Sequence, residues 1–384
     1  MITTDSRRGR SALMIGHCAG MVDLVALPVW VGTLVAQYRF DAQQAGMLAS
    51  LFLGGAVLAS IALASRFDRL NGRLVATLGF GLAALGFGVA AGASDFATLA
   101  VLHALSGMAS GAALSATHGT IARSGRPHRL FAIVGMALAV FGIAFMGATP
   151  PLVAQLGGPV LFQVFGGVMV VAALAAALAF PVADAVRTPV QAQGRAPLPA
   201  VVWCGIVGIA CMGLVQAMTF SFLERVGSDR GFGAAAVTGV LVALGIVNFA
   251  PPALAALLEK RLDARRVLLG GAALQALLVC VIMLSTQFIA YALAASVFAA
   301  VMIFTHTFAF GLLARLDPSG RALAATPAML MTGAAIGPVL GGTLVKSFGY
   351  GSLAIAATAI AVVALLCFSR LPATGATPRQ RALA

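Results

Sequence analysis

Charge is what this sequence has little of. Only 9% of its 384 residues are Asp, Glu, Lys or Arg, against about 25% in an ordinary globular domain. So few charges cannot cover a water-facing surface, and an apolar content of 61% excludes a disordered chain. Lysine is nearly missing, since 22 of the 24 basic residues are arginine. Cysteine is sparse and odd in number. Cys18, Cys204, Cys211, Cys280 and Cys367 all lie inside apolar runs without Cys-x-x-Cys spacing, which supports neither a disulfide framework nor a zinc site. There is also no phosphate loop, no nucleophile turn and no histidine cluster of metal-ligand spacing. Neither an enzyme, a cofactor nor a metal is expected.

What remains is a polytopic membrane protein, with a mean hydropathy of +1.02. The net charge of +13 does not point to nucleic acid, because the basic residues stand in short clusters between long apolar runs, as the positive-inside rule arranges them. A helix needs about 20 apolar residues to cross a bilayer. Such runs lie at 11–36, 43–65, 74–92, 96–122, 130–155, 160–180, 200–224, 233–258, 267–286, 288–314, 322–346 and 351–369. The first follows Arg7, Arg8 and Arg10 like a signal peptide, but it is too long for one and contains His17 and Asp23. The longest polar interruption, Pro181–Pro199, separates an N-terminal six-helix half (1–180) from a C-terminal one (200–384), with a linker at 181–199. Alternate loops hold 20 and 4 of the basic residues, which places the linker and both termini in the cytoplasm.

Bulky polar and ionisable residues enter the spans with a period of three. Span 1 has His17, Asp23 and Trp30, and span 4 has His103 and His118. Span 7 has Gln216, Thr219 and Glu224, and span 10 has His306. Spans 3, 6, 9 and 12 are almost wholly apolar. Ionisable groups are costly inside a membrane and face a cavity or the bundle interior, so one helix in three lines a cavity and one in three faces lipid.

Four segments carry a family likeness: RFDRLNGR (66–73), KRLDARR (260–266), HALSGMASGAA (103–113) and GAAIGPVLGG (333–342). The first two are similar to the Asp-Arg-x-Gly-Arg loop of the major facilitator superfamily and its second-half echo, the first with one extra residue before Gly72. The third resembles the antiporter motif Arg-x-x-x-Gly, with His103 in the arginine position. The fourth fits Gly-x-x-x-Gly-Pro-x-x-Gly-Gly, on span 11 instead of span 5. Nearly the whole chain resembles this superfamily, and most of all the short bacterial proton-linked antiporters and arabinose-efflux-like permeases. The resemblance implies an all-α fold of twelve helices in two halves of 3+3 inverted repeats. It implies a secondary transporter of the bacterial inner membrane, exchanging a small organic substrate for protons by alternating access, and a monomer. Proton-coupled uptake and a non-transporting receptor on the same fold are the alternatives.

The expected substrate and proton cavity comprises Asp23, Trp30, His17, His103, Gln216, Thr219, Glu224 and His306. Asp23 is the only acid deep in a span, so it should be protonated, paired or facing water. Helix packing through a bond to His17 or a serine is its plain alternative. Aligning Gly46 with Gly239 gives an offset of 193, which carries Asp23 onto Gln216. Trp30, seven residues on, would stack against an organic ligand. Basic residues lie only at loops or span ends, which disfavours a strongly anionic substrate. Asp68 with Arg69 and Arg73, and Asp263 with Arg265 and Arg266, are read as gating loops. Pro150, Pro151, Pro251, Pro252, Gly337 and Pro338 are read as points where helices flex. Gly107, Gly111 and Ser115 form a ladder for close helix packing.

Overall fold

The computed structural model describes residues 2–64, 70–181, 198–259, 261–317 and 321–373. Asp68, Arg69 and most of the 181–199 linker lie outside these. The chain forms two compact units, Met1–Pro189 and Val190–Ala384. In the first, α1 (Arg7–Gly20) and α2 (Val22–Ala36) make up span 1, followed by α3 (Ala42–Ala64), α4 (Gly72–Ala90), α5 (Phe96–Ala122), α6 (Pro127–Leu156) and α7 (Pro159–Ala179). In the second, α8 (Ala200–Ser221) and α9 (Leu223–Asp229) make up span 7, and α10 (Ala234–Val247) and α11 (Ala250–Leu258) span 8. Then come α12 (Ala264–Leu284), α13 (Phe288–Leu316), α14 (Arg321–Phe348) and α15 (Gly351–Ser369). Eleven of the twelve spans are long and apolar enough to cross a membrane over their described residues, and α14 occupies the place of span 11. Among the described residues there is no strand. Lipid offers a backbone no hydrogen bonds, so a chain this apolar satisfies its amides within helices.

Short polar residues start several helices. Asn71 accepts from the amides of Arg73 (3.1 Å) and Leu74 (3.3 Å) to begin α4. Asp263 accepts from Arg266 (3.0 Å) to begin α12, and Asp95 from Thr98 (2.8 Å) to begin α5. Each satisfies an amide that the first turn leaves without a partner. The Thr98 amide holds the Asp95 carboxyl below the usual carboxylate range. Spans 3, 6, 9 and 12 keep exposed apolar stripes, such as Leu74, Leu78, Leu82 and Leu85 on α4 and Ile355, Val362 and Leu366 on α15.

The glycine ladder packs as expected. A Cβ added at Gly55 would lie 2.6 Å from the Ala104 carbonyl oxygen, and one at Gly111 would strike the backbone of Ala56, so α3 and α5 run in backbone contact. Ser115 continues the ladder with a 2.9 Å bond to Ser60. On α14, Gly333, Gly337 and Gly341 meet α8 in the same way. Of the proline pairs, Pro251-Pro252 coincides with a break, α10 ending at Val247 and α11 starting at Ala250. Pro150-Pro151 sits within an unbroken α6, and α14 runs unbroken through Gly337-Pro338.

The two units repeat each other with an offset of 192. The Arg73 guanidinium donates to the Ala177 carbonyl at the end of α7, and Arg265 donates to the Ser369 carbonyl at the end of α15 (2.7 Å). The helix-starting Asn71 and Asp263 stand at the same offset. So do Arg39 and Gly231, both in the left-handed region with φ of 58° and 74°. These anchors all lie at residue 39 or later. Spans 1 and 7 themselves begin at Arg7 and Ala200 and end at Ala36 and Asp229, an offset of 193. Over these two spans Asp23 therefore stands against Gln216.

Candidate functional site

Span 1 breaks at Met21, whose φ of −105° and ψ of 11° leave the helical region. Two residues later, in the first turn of α2, Asp23 is buried with its Oδ1 accepting the Leu24 amide at 2.8 Å. The break leaves first-turn amides of α2 without intrahelical partners, and these together with the helix dipole favour an acidic side chain there. Span 7 breaks in the same manner at Phe222, with φ of −107° and ψ of 6°. Glu224, two residues on, lies in the first turn of α9. Its Oε1 accepts from the Ser228 hydroxyl at 2.7 Å, and the Tyr291 hydroxyl donates to the neighbouring Leu223 carbonyl at 2.7 Å. Both halves therefore set an acid two residues past a helix break, although the breaks occupy different positions in the repeat.

His17 does not bond Asp23. Its Nδ1 lies 2.9 Å from Nε2 of His118, so one ring nitrogen donates and the other accepts. Gly16 makes the meeting possible, because a Cβ there would stand 3.1 Å from Thr117 Oγ1 on α5. His118, one of the polar residues of span 4 but not among the expected cavity residues, belongs to this polar cluster. The small Gly16 beside His17 is the one available signal.

Trp30 is fully buried. Its ring meets Phe165 (4.9 Å between centroids), Phe52 (5.3 Å) and His103 (5.3 Å), and Phe87 and Phe162 complete the aromatic surroundings of His103. The stacking surface expected for a ligand is thus occupied by the half's own rings. His103 Nδ1 donates to the Leu99 carbonyl at 2.6 Å. Its Nε2, Trp30 Nε1 and the hydroxyls of Ser106 and Ser110 are buried without a partner among the described residues. At one end of this half a cavity of about 330 Å³ lies beside Tyr38, whose phenol burial pushes up to about 12.

In the second half, Gln216 accepts from Gln275 Nε2 on α12 at 3.1 Å, and the same nitrogen lies 3.2 Å from the Met212 carbonyl. Gln275 is a second residue that sequence reasoning leaves out. Thr219 is buried, and its hydroxyl has no partner among the described residues. His306 stands apart, with Nδ1 2.9 Å from the Met302 carbonyl and its ring against Phe310. In the first half the candidates thus gather around the His17–His118 pair and the Trp30–His103 box. In the second they stay dispersed. Of the loop residues, Arg73 and Arg265 cap the ends of α7 and α15, and Asp263 caps its own helix.

The family model described as Major Facilitator Superfamily matches residues 12–316. Among solved structures, the nucleoside transporter NupG is similar with a TM-score of 0.75 at 14% identity, over 95% of this chain and 99% of that one. A bacterial homolog of the human lysosomal transporter Spinster, inward-facing and unoccupied, is similar with a TM-score of 0.71 at 14% identity, over 95% and 96% of the two chains. Among curated proteins, none matches the sequence. At these identities the structural likeness concerns the fold alone.

Proposed function

Because the chain belongs to the major facilitator superfamily, and is thus a multi-pass secondary transporter of small molecules, we propose that it exports a small organic solute in exchange for protons. It works by alternating access as a monomer in a bacterial inner membrane, with both termini cytoplasmic. The observation that carries this reading is Asp23, a buried acid bonded to the amide of the next residue, in the first turn after a mid-span break. A carboxylate held so deep costs several kcal/mol unless protonated, paired or hydrated, so a group that gains and loses a proton there ties substrate movement to the proton gradient. The His17–His118 pair, a short way along the same span, supplies further proton-holding groups on α1 and α5. His103, Gln216, Thr219, Glu224 and His306 are assigned to the polar lining, and Trp30 to its support. The substrate is neutral or cationic, since the basic residues stand at span ends. Asp68 and Arg69, with Asp263 and Arg266, gate the cytoplasmic side.

The test separates coupling from binding. Asp23→Asn protein in proteoliposomes should lose pH-gradient-driven accumulation while keeping substrate exchange at equal pH. A variant that still concentrates substrate against the gradient removes Asp23 from the mechanism.

A further inference from the structure

A cavity of about 260 Å³ opens at the N-terminal end of the first half, lined by arginines from three places in the sequence. Arg10 comes from α1, Arg126 from the turn after α5, and Arg129 from the first turn of α6. Arg10 is fixed, with Nε and Nη2 donating to the Asp5 carbonyl at 3.0 and 2.5 Å. The guanidinium groups of Arg126 and Arg129 are exposed at the cavity. No side chain caps α6, and Pro127 opens it, so its first-turn amides and positive dipole end add to the same field. Asp5 brings the single carboxylate in the lining, which leaves a net charge of +2.

Guanidinium forks suit phosphate, which they grip through paired N–H groups. Leu130 and Ile133 add apolar surface to the lining. From Ile133 the same face of α6 continues as exposed Met136 and Val140, three and seven residues on, a strip on which an acyl chain can lie. The volume falls just below the roughly 300–1,000 Å³ of ordinary small-molecule sites, enough for a headgroup and no more. We propose that this cavity is a headgroup site for an anionic phospholipid. The phosphate lies among Arg10, Arg126 and Arg129, and an acyl chain follows Ile133, Met136 and Val140. Basic pockets between helices at a membrane surface bind such headgroups.

The full-length protein in detergent is titrated with phosphatidylglycerol, phosphatidylcholine or inorganic phosphate, with bound lipid counted by native mass spectrometry and unfolding followed by heat. Phosphatidylglycerol should bind with defined stoichiometry and raise the unfolding temperature, and the other two should not. Arg126→Gln/Arg129→Gln should weaken its binding at least tenfold. Asp5→Asn, which keeps the backbone carbonyl that holds Arg10 and removes the one negative charge, should tighten it. That second variant decides the matter if the arginine variant fails to fold. Equal binding of phosphatidylcholine, the same stabilisation by inorganic phosphate alone, or weaker binding by Asp5→Asn overturns the proposal.

Discussion

Replacing Gly337 by alanine distinguishes two uses of a glycine, flexing and close approach. A Cβ there would lie 2.7 Å from the Ala217 Cβ and 2.7 Å from the Met218 amide nitrogen on α8. Carbon atoms rest at about 3.5–4.0 Å from their neighbours, so α14 and α8 must part locally by close to an ångström. Overpacking of this kind costs about 1–3 kcal/mol. In a cooperative unit of 150–250 residues each kcal/mol lowers the unfolding temperature by roughly 2–4 °C, so a fall of about 5 °C is expected. Gly270→Ala on α12 is the control, because no atom lies within 4 Å of its added Cβ. That change should raise stability, as removing a helical glycine contributes about 0.5–1 kcal/mol. Thermal unfolding of the purified protein reads both. If Gly337→Ala melts together with Gly270→Ala, the close contact of α14 with α8 is refuted. If it then also slows transport, the glycine serves as a flexing point.

Three further outcomes are expected beside the Asp23 test. Single cysteines at Ser94 and Gln193 on a cysteine-free background should react with an impermeant reagent from opposite sides, and labelling of both in intact cells refutes the topology. Arg73→Gln and Arg265→Gln each remove one carbonyl cap and should each cost about 1 kcal/mol, equal within error because the caps are repeats. Strongly unequal losses in unfolding temperature deny that equivalence. Finally, His17→Gln and His118→Gln should be non-additive by about 0.5–1.5 kcal/mol in a double-mutant cycle of stability, and strict additivity separates the two rings.

The spans are legible in the sequence because the signal that marks them, about 20 apolar residues in a row, is imposed by the lipid itself. The break of span 8 is legible too, since Pro251 and Pro252 both lack the amide an unbroken helix needs. Pro150 and Pro151 carry the same mark on a helix that stays whole, so proline alone does not locate a break. The breaks at Met21 and Phe222 have no proline to announce them. They emerge only as backbone angles, set by how the segments pack. Matching two glycines gives 193, one more than the offset at which spans 2 and 8 begin (Ala42 and Ala234) but equal to that of spans 1 and 7. For the later spans the arginines that cap helix ends are better anchors, since a cap is tied to a fixed place in its helix and an exposed glycine such as Gly239 is not. The pairing of His118 with His17 escapes a reading of the sequence because a hydrogen bond between residues 101 apart leaves no trace in local pattern.

The two arginine caps also say something about modularity. Each joins residues 104 apart, and each closes four consecutive helices, α4–α7 or α12–α15, into a loop whose entry and exit are stapled together. Segments 73–177 and 265–369 are consequently interchangeable in length, staple for staple. A graft that exchanges one for the other would meet matched ends at both joints. The breaks of spans 1, 7 and 8 fall outside the staples, whereas inside them α5 carries His103 and His118 and α13 carries His306. Length and capping are thus common to the two halves, while the polar side chains held between the caps are not.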